Sequence, residues 1–306
     1  MTSTVPFPGG EAPARADTSL VRTGCDGQGV TDCVRRSGGA AHPSPSGSQP
    51  LRAPDANALR CEVIGNATLY LGDCRDILPT VGKVDTLIGD PPYAIRNDFG
   101  SQNKLDGKRT LQFAWDGAST RDETIEAIAL AGDLANAFFV FCGASQVSFF
   151  ELALEHRFTV KPACWIKACP PPAMPGNWWP SGFEFALYGY TPGAPFNDAD
   201  PKRRNVFYSD TYRAGIRADE KVAHPTQKWL PLMRDIVVAI VPPSGSCLDP
   251  FMGSGSTGVA CMLEGRSFIG IERDPAYFEI ACKRIEDAQR QGSLFAHDAH
   301  SERSAA

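Results

Sequence analysis

Short apolar runs beside helix-patterned segments are the feature of this sequence that most constrains its fold. Runs such as 84–89 and 137–142 are short and mainly apolar, which is typical of buried parallel strands. The segments 123–135 and 146–156 carry apolar residues at helical spacing. Strands that alternate with helices over this length predict an α/β fold with a largely parallel sheet.

The same patterns locate the remaining elements and the limits of the folded part. Residues 1–58 are rich in Gly, Pro, Ser and Ala without an apolar period, which predicts a disordered tail. Residues 292–306 predict a second one, so the folded domain is expected at 59–291. Further strands are expected at 61–72 (a hairpin turning at Gly65–Asn66), 158–167, 183–190, 246–249 and 268–272, and further helices at 227–241, 255–264 and 274–289.

Charge and composition exclude several classes of protein. A formal net charge of −5 argues against a protein that coats nucleic acid by neutralising phosphates. The longest apolar stretches, such as 236–243, fall far short of the roughly 18 residues that span a bilayer. No secretory signal is visible, so a cytoplasmic protein is expected, with its ten scattered cysteines reduced.

A glycine-rich loop at 249–258 lies between a predicted strand and a predicted helix. Glycines there let the chain turn tightly and let a ligand approach the backbone. Glu272 ends the next strand, where a carboxylate can accept two hydrogen bonds from ribose hydroxyls. A nicotinamide dinucleotide site therefore stays open. However, only 34 residues follow Glu272, so the rest of the sheet must lie upstream and the order of motifs is permuted relative to a dinucleotide fold.

A second motif, Asp90-Pro91-Pro92-Tyr93, follows the predicted strand at 84–89. Ligand sites of open α/β sheets lie at the carboxyl ends of strands, and two prolines make this loop stiff. The Asp90 side chain and the Pro91 carbonyl could accept the two protons of an exocyclic adenine amine and make its nitrogen more reactive. Tyr93 would stack on the base, a contact worth about 1–3 kcal/mol.

These two motifs, in this order, resemble the β class of amino-directed DNA methyltransferases, which place the catalytic motif before the cofactor motif. The resemblance covers roughly residues 60–290. It implies a Rossmann-like fold dependent on S-adenosylmethionine, with a mostly parallel seven-stranded sheet that has one antiparallel strand. It also implies a methyltransferase domain at 59–291, with a small target-recognition insert at about 193–222.

The resemblance assigns the residues that bind S-adenosylmethionine. Asp73 would contact its adenine ring, and Thr226 and Lys228, in the segment His224-Pro-Thr-Gln-Lys228, would hold its methionine part. The residue after Lys228 is Trp229 where the family usually has Pro, and Ser256 stands where Thr is usual. The glycine loop and the acid after it would supply the rest of the cofactor site, namely Phe251, Gly253, Gly255, Thr257 and Glu272.

The implied reaction is a direct displacement, which needs orientation and no metal. The target base would be flipped out of double-stranded DNA, at a cost of a few kcal/mol.

Trp178, Trp179 and Phe183 could stack on DNA, although packing onto the sheet is the preferred interpretation. Lys202, Arg203 and Arg204, in the one basic and aromatic stretch, are candidate phosphate contacts, with a solvated loop as the alternative. The resemblance leaves room for a homodimer and for a cognate restriction endonuclease.

Adenine N6 is the expected target, because the family's cytosine-N4 enzymes more often begin the tetrapeptide with Ser. A cytosine-N4 methyltransferase is the nearest alternative. A nicotinamide-dependent oxidoreductase is a weaker one, since it gives Asp90 and Tyr93 no role. A DNA-binding protein without activity is the third, and the intact motifs argue against it.

Overall fold

The computed structural model of the protein describes residues 34–35, 60–93, 120–168, 170, 179, 181–194, 196, 204–209 and 227–304. These residues form one sheet with helices around it, as the alternating pattern predicts. The strands are β1 (Val34–Arg35), β2 (Arg60–Ile64), β3 (Ala67–Leu71), β4 (Thr86–Gly89), β5 (Ala137–Cys142), β6 (Lys161–Ile166), β7 (Phe183–Tyr190), β8 (Val206–Tyr208), β9 (Ser246–Asp249) and β10 (Ser267–Glu272). The helices are α1 (Cys74–Ile77), α2 (Thr120–Leu134), α3 (Val147–Leu154), α4 (Leu230–Ile240), α5 (Ser256–Leu263) and α6 (Pro275–Ser304), with a 3₁₀ turn at Leu78–Thr80.

The order of the strands in the sheet is β1-β2-β3-β10-β9-β4-β5-β7-β6-β8. The five strands from β3 to β5 are parallel to one another, whereas β7 is antiparallel to both of its neighbours. The mostly parallel α/β sheet is therefore confirmed. All described strands except β10 come from sequence upstream of the glycines of the loop, as the shortness of the remaining chain requires.

The described sheet has ten strands, which exceeds the predicted seven. β2 forms the expected hairpin with β3, but it extends the sheet as a separate antiparallel strand. β1 pairs with β2 and has two residues, and β8 pairs with β6 and has three. Both strands are too short to show an alternating pattern of apolar residues, so the sequence could not predict them.

Two cores pack against the opposite faces of the sheet. Large buried side chains in one include Phe141, Phe268 and Phe278, and in the other Phe138 and Phe150. Burial on both faces explains why β5 is apolar at every position. Among the helices that the structure describes, none is long and apolar enough to cross a membrane.

Three further expectations concern the two predicted tails and the state of the cysteines. Helix α6 runs to Ser304, where a tail was predicted from 292; after Gly292 this stretch contains neither proline nor glycine, so nothing breaks the helix. The predicted tail at 1–58 lies outside the described residues, except for β1. Cys61 is disulfide-bonded, which corrects the expectation that every cysteine is reduced.

Candidate active site

Four neighbouring parallel strands each end at an acidic residue on the same edge of the sheet. In sheet order, Asp73 follows β3, Glu272 ends β10, Asp249 ends β9 and Asp90 follows β4. The carboxyl ends of parallel strands lie together, so motifs 159 residues apart in the chain meet here. The phenyl ring of Phe251 lies against the end of β4, where a Cβ added to Gly89 would be 3.8 Å from it.

The glycine loop connects β9 to α5 through two left-handed backbone positions. Gly253 has φ of 54° and Gly255 has φ of 80°, a region that side chains other than glycine rarely adopt. The Gly253 amide donates a 2.8 Å hydrogen bond to Oε2 of Glu272. This bond fixes the loop against the end of β10, so two predicted cofactor residues are in direct contact.

Glu272 keeps acceptor capacity for a ligand. Its Oε1 accepts a hydrogen bond of 2.8 Å from the amide of Asp274, and each ionised carboxylate oxygen has a second lone pair. Burial raises the pKa of Glu272, while the backbone amides of Asp274, Gly253 and Arg273 oppose that rise.

The hydroxyl of Thr257, a predicted cofactor residue, is engaged within the loop itself. Its hydroxyl donates a 2.6 Å hydrogen bond to Oδ2 of Asp249, and both side chains are buried. The other oxygen of Asp249 accepts a 3.0 Å bond from the amide of Phe251. Burial raises the pKa of Asp249 to about 7, against the opposing effect of these two donors. This pair therefore stabilises the turn from within, a role that the motif alone did not indicate.

Asp73 joins β3 to α1 and is half-buried. It accepts a hydrogen bond from the Arg75 amide at 2.9 Å, which caps α1, and it pairs with the Arg75 guanidinium at 2.7 Å. The hydrogen bonds from Arg75 lower the pKa of Asp73 and outweigh the effect of burial. An ionised acceptor thus stands at the end of β3, where the resemblance expects one.

The tetrapeptide loop is held by contacts on both sides. The Gln146 amide group donates to the Pro92 carbonyl at 2.8 Å, and Gln146 Oε1 accepts from the Gly143 amide at 2.9 Å. The hydroxyl of Tyr93 lies 3.0 Å from Oδ1 of Asp90. The acid and the aromatic ring of the motif are therefore fixed relative to each other.

Lys228 contacts this loop directly. Its ammonium group lies 2.6 Å from Oδ2 of Asp90, 3.1 Å from the Tyr93 hydroxyl and 4.7 Å from the centroid of the Phe141 ring. Lys228 was predicted to hold the methionine part of the cofactor together with Thr226. Thr226 lies outside the described residues. Within the described residues, the Lys228 ammonium contacts the tetrapeptide, Glu184 and the Phe141 ring.

Two residues of this cluster were missed by the sequence analysis. Glu184, on β7, has Oε2 at 2.9 Å from the Tyr93 hydroxyl and 3.0 Å from the Lys228 ammonium. Its Oε1 pairs with the ammonium of Lys167, just after β6, at 2.5 Å. Neither belongs to a recognisable motif, and only the antiparallel pairing of β6 with β7 places them here.

The charges of this cluster are mutually compensating. Burial alone would raise the pKa of Glu184, but Lys228 and Lys167 outweigh it and lower that pKa to about 2. Burial would lower the pKa of Lys228, yet Asp90 and Glu184 outweigh it and the pKa is raised. Burial raises the pKa of Asp90, with Lys228 opposing and Glu184 adding to the rise.

The remaining predicted residues are described only in part. Lys202, Arg203 and Trp178 lie outside the described residues. Arg204 is exposed and precedes β8, towards the edge opposite the strand ends, where it lines a cavity of about 690 Å³ together with residues of α4. Trp179 is 79% exposed, which disagrees with the interpretation that it packs onto the sheet. Phe183 is 47% exposed, and its ring contacts that of Phe185 on β7 with 4.9 Å between the centroids.

Comparisons with known proteins show what the whole chain is similar to. A family model described as DNA methylase, N6_N4_Mtase, matches residues 84–283. The chain is 26% identical over 243 residues to the Type II methyltransferase M2.MboI of Moraxella bovis, covering 72% of this chain and 88% of that protein. It is 36% identical over 110 residues to the DNA adenine methyltransferase YhdJ of Escherichia coli K12, covering 35% and 36%. The crystal structure of the M1.HpyAVI–SAM complex superposes with a TM-score of 0.55 at 31% identity, covering 72% of this chain and 98% of that one.

Proposed function

The chain belongs to the N6_N4_Mtase family of DNA methylases, and from this membership we propose that it methylates the N6 amine of adenine in double-stranded DNA. As a member of this family it is a DNA methyltransferase that uses S-adenosylmethionine. The choice of adenine and the role of each residue are the proposal. The observation that carries it is the meeting of the Asp90–Tyr93 loop and the glycine loop at the ends of neighbouring parallel strands.

The residues at three strand ends fit the methyl donor. Glu272 has acceptor capacity for ribose hydroxyls, and Asp73 is an ionised acceptor for the adenine end. The glycine loop, with Gly253 and Gly255 in left-handed conformations, exposes backbone next to them. When bound, the donor supplies a methyl group already activated by a sulfonium. We assign Thr257 to support of this loop rather than to ligand contact, because its hydroxyl is used by Asp249.

The tetrapeptide is proposed to hold the target amine. Asp90 has one oxygen facing Lys228 and the other facing Tyr93, and each keeps a lone pair for an amine proton. The Pro91 carbonyl would accept the second proton. Tyr93 would stack on the flipped base, and such stacking is worth about 1–3 kcal/mol, which offsets part of the cost of flipping. These groups orient the nitrogen towards the methyl donor at the adjacent strand end.

Adenine is favoured over cytosine by the acid that begins the tetrapeptide. The resemblance associates Ser at this position with cytosine-N4 enzymes, and this chain has Asp90. The partial similarity to a DNA adenine methyltransferase supports the same choice. A nicotinamide-dependent reaction gives no role to the tetrapeptide and does not agree with the family.

Exposed aromatic side chains at the start of β7 and shortly before it in the chain support a DNA-facing surface. The exposed Phe183 begins β7, next to Glu184, and the exposed Trp179 lies shortly before it in the chain. We propose that these two rings contact bases beside the vacated position. Phosphate contacts by Lys202 and Arg203, a homodimer and a cognate restriction endonuclease remain further proposals; the relation to Type II methyltransferases supports the last of them. Arg204 lies towards the opposite edge of the sheet, away from this surface.

Identification of the methylated nucleoside tests this function. Unmethylated DNA is incubated with the purified protein and isotopically labelled S-adenosylmethionine, digested to nucleosides and analysed by mass spectrometry. Label in N6-methyladenine is the expected result. Label in N4-methylcytosine would move the target to cytosine within the same family. Binding of the donor without any labelled nucleoside would contradict the proposal.

A further inference from the structure

Glu184 has contacts that the holding of a target amine does not require. Its Oε2 lies within 3.0 Å of both the Tyr93 hydroxyl and the Lys228 ammonium, and its Oε1 pairs with Lys167. Only 16% of its side chain is exposed. Burying a carboxylate away from water costs desolvation free energy, and the ion pairs with Lys228 and Lys167 offset that cost.

We propose that Glu184, held by Lys167, is a positioning residue that fixes Tyr93 and Lys228 against Asp90 in the form that accepts the target base. This inference rests on the proposed function and names further residues of the same site. Glu184 touches neither the target nor the methyl donor in this scheme; it acts through the two residues that it contacts.

The number of available protons supports this role. The Lys228 ammonium has three protons, and three acceptors lie within 3.1 Å of it, on Asp90, Glu184 and Tyr93. The Tyr93 hydroxyl accepts from Lys228 and has one proton for either carboxylate. Without Glu184, Lys228 would lose one acceptor, and the orientation of the Tyr93 hydroxyl would depend on Asp90 alone.

The charges give Glu184 a second effect. Asp90 and Glu184 carry two negative charges when ionised, and Lys228 and Lys167 carry two positive ones. The target nitrogen gains positive charge as its bond to the methyl carbon forms, so an uncompensated lysine beside it would disfavour the reaction. Asp90 is faced by Lys228 from the segment before α4, by Glu184 from β7, by Asp249 from β9 and by Tyr93 of its own loop.

Paired substitutions test this inference. Glu184→Gln keeps the size of the side chain and removes its charge, whereas Lys167→Met removes the opposite charge on the far side of Glu184. Their controls are Glu151→Gln and Lys161→Met, at exposed positions outside the cluster. The measurements are the single-turnover rate of methyl transfer to DNA across pH, the affinity for S-adenosylmethionine by calorimetry, and thermal unfolding.

We expect Glu184→Gln to lower the single-turnover rate about 10- to 100-fold with little change in cofactor affinity, because the reacting groups are misplaced while the cofactor loop is intact. Loss of the negative charge should move the acid limb of the rate profile to lower pH, because Asp90 ionises more easily. Lys167→Met should move that limb to higher pH. The double variant restores the charge balance and should return the limb towards the wild-type position.

The outcomes separate the inference from the function on which it rests. Shifts of the acid limb in the same direction, or no shift in either variant, would overturn the role of Glu184, as would a Glu184→Gln rate within twofold of wild type. If Glu184→Gln unfolds, the double variant and Lys167→Met decide by the same pH criterion. Wild-type protein that methylates no DNA would instead refute the proposed function.

Discussion

The buried pair formed by Thr257 and Asp249 gives the most exact test of how the glycine loop is held. Thr257→Val removes a hydroxyl that donates to Oδ2 of Asp249 at 2.6 Å and keeps the shape of the side chain. Asp249 is 2% exposed, so water cannot easily replace the lost donor. Since burial raises the pKa of Asp249 to about 7, its carboxyl group is mainly protonated at pH 5 and mainly ionised at pH 8.

The raised pKa of Asp249 determines how the stability of the protein changes with pH. Because the folded-state pKa lies above the ordinary value of 3.8 for an aspartate, the free energy of unfolding falls as the pH rises from about 4 to about 7 and then levels off. Loss of the Thr257 donor raises the pKa further and extends this fall to higher pH. Thr257→Val should therefore lower the free energy of unfolding by about 1 kcal/mol at pH 5 and by about 2–3 kcal/mol at pH 8, where an ionised carboxylate loses its donor.

Urea unfolding at the two pH values, monitored by tryptophan fluorescence, measures this difference. Thr86→Val is the matched control, because the buried Thr86 hydroxyl donates to the Ile240 carbonyl at 2.8 Å and that acceptor does not titrate. The control should lose about 1–3 kcal/mol equally at both pH values. An equal loss at pH 5 and pH 8 for Thr257→Val would refute the reasoning, since it would mean that Asp249 does not change its charge there.

Three further results are expected at this edge of the sheet. Asp90→Ala should retain much of the affinity for S-adenosylmethionine and lose methyl transfer; transfer near the wild-type rate would remove Asp90 as the amine acceptor. Glu272→Gln should weaken S-adenosylmethionine binding about tenfold in calorimetry, as expected for about 1.4 kcal/mol lost from charge-assisted hydrogen bonds, and unchanged affinity would exclude it from the cofactor site. Gly255→Ala places a Cβ 3.0 Å from that of Ala281 at a φ of 80°, whereas Gly265→Ala places one in open space at a φ of 67°. Gly255→Ala should therefore lower the free energy of unfolding by about 1–3 kcal/mol more than Gly265→Ala. Equal losses of stability in thermal unfolding would show that the contact with Ala281 adds no cost.

The central strands and the two motif loops could be predicted from the sequence because their signals are local. The apolar run at 137–142 and the segment predicted as a strand at 246–249 match β5 and β9 residue for residue, and the tetrapeptide follows β4 as expected. Burial on both faces produces an apolar run such as β5, so the pattern itself identifies that strand. The position of Asp90 beside the glycine loop then follows from the general placement of parallel strand ends.

The cluster around Tyr93 could not be predicted in the same way. Glu184 is 91 residues from Tyr93 in the chain, and an acid at the start of a strand has no pattern that separates it from a solvated one. Lys228 was recognised as part of the site, but its contact with Asp90 depends on tertiary packing over 138 residues. Thr257 was assigned to the cofactor by motif, whereas a buried acid eight residues earlier takes its hydroxyl.

The arrangement of acids at four successive strand ends also sets the length of the cleft. Neighbouring strands lie about 4.8 Å apart, so three intervals separate Asp73 from Asp90 by about 14 Å along the sheet edge. This separation depends on the number of strands and not on the loops between them. Insertions in those loops can therefore leave unchanged the spacing between Asp73, the proposed contact of the adenine end of the donor, and Asp90, the proposed acceptor of the target amine.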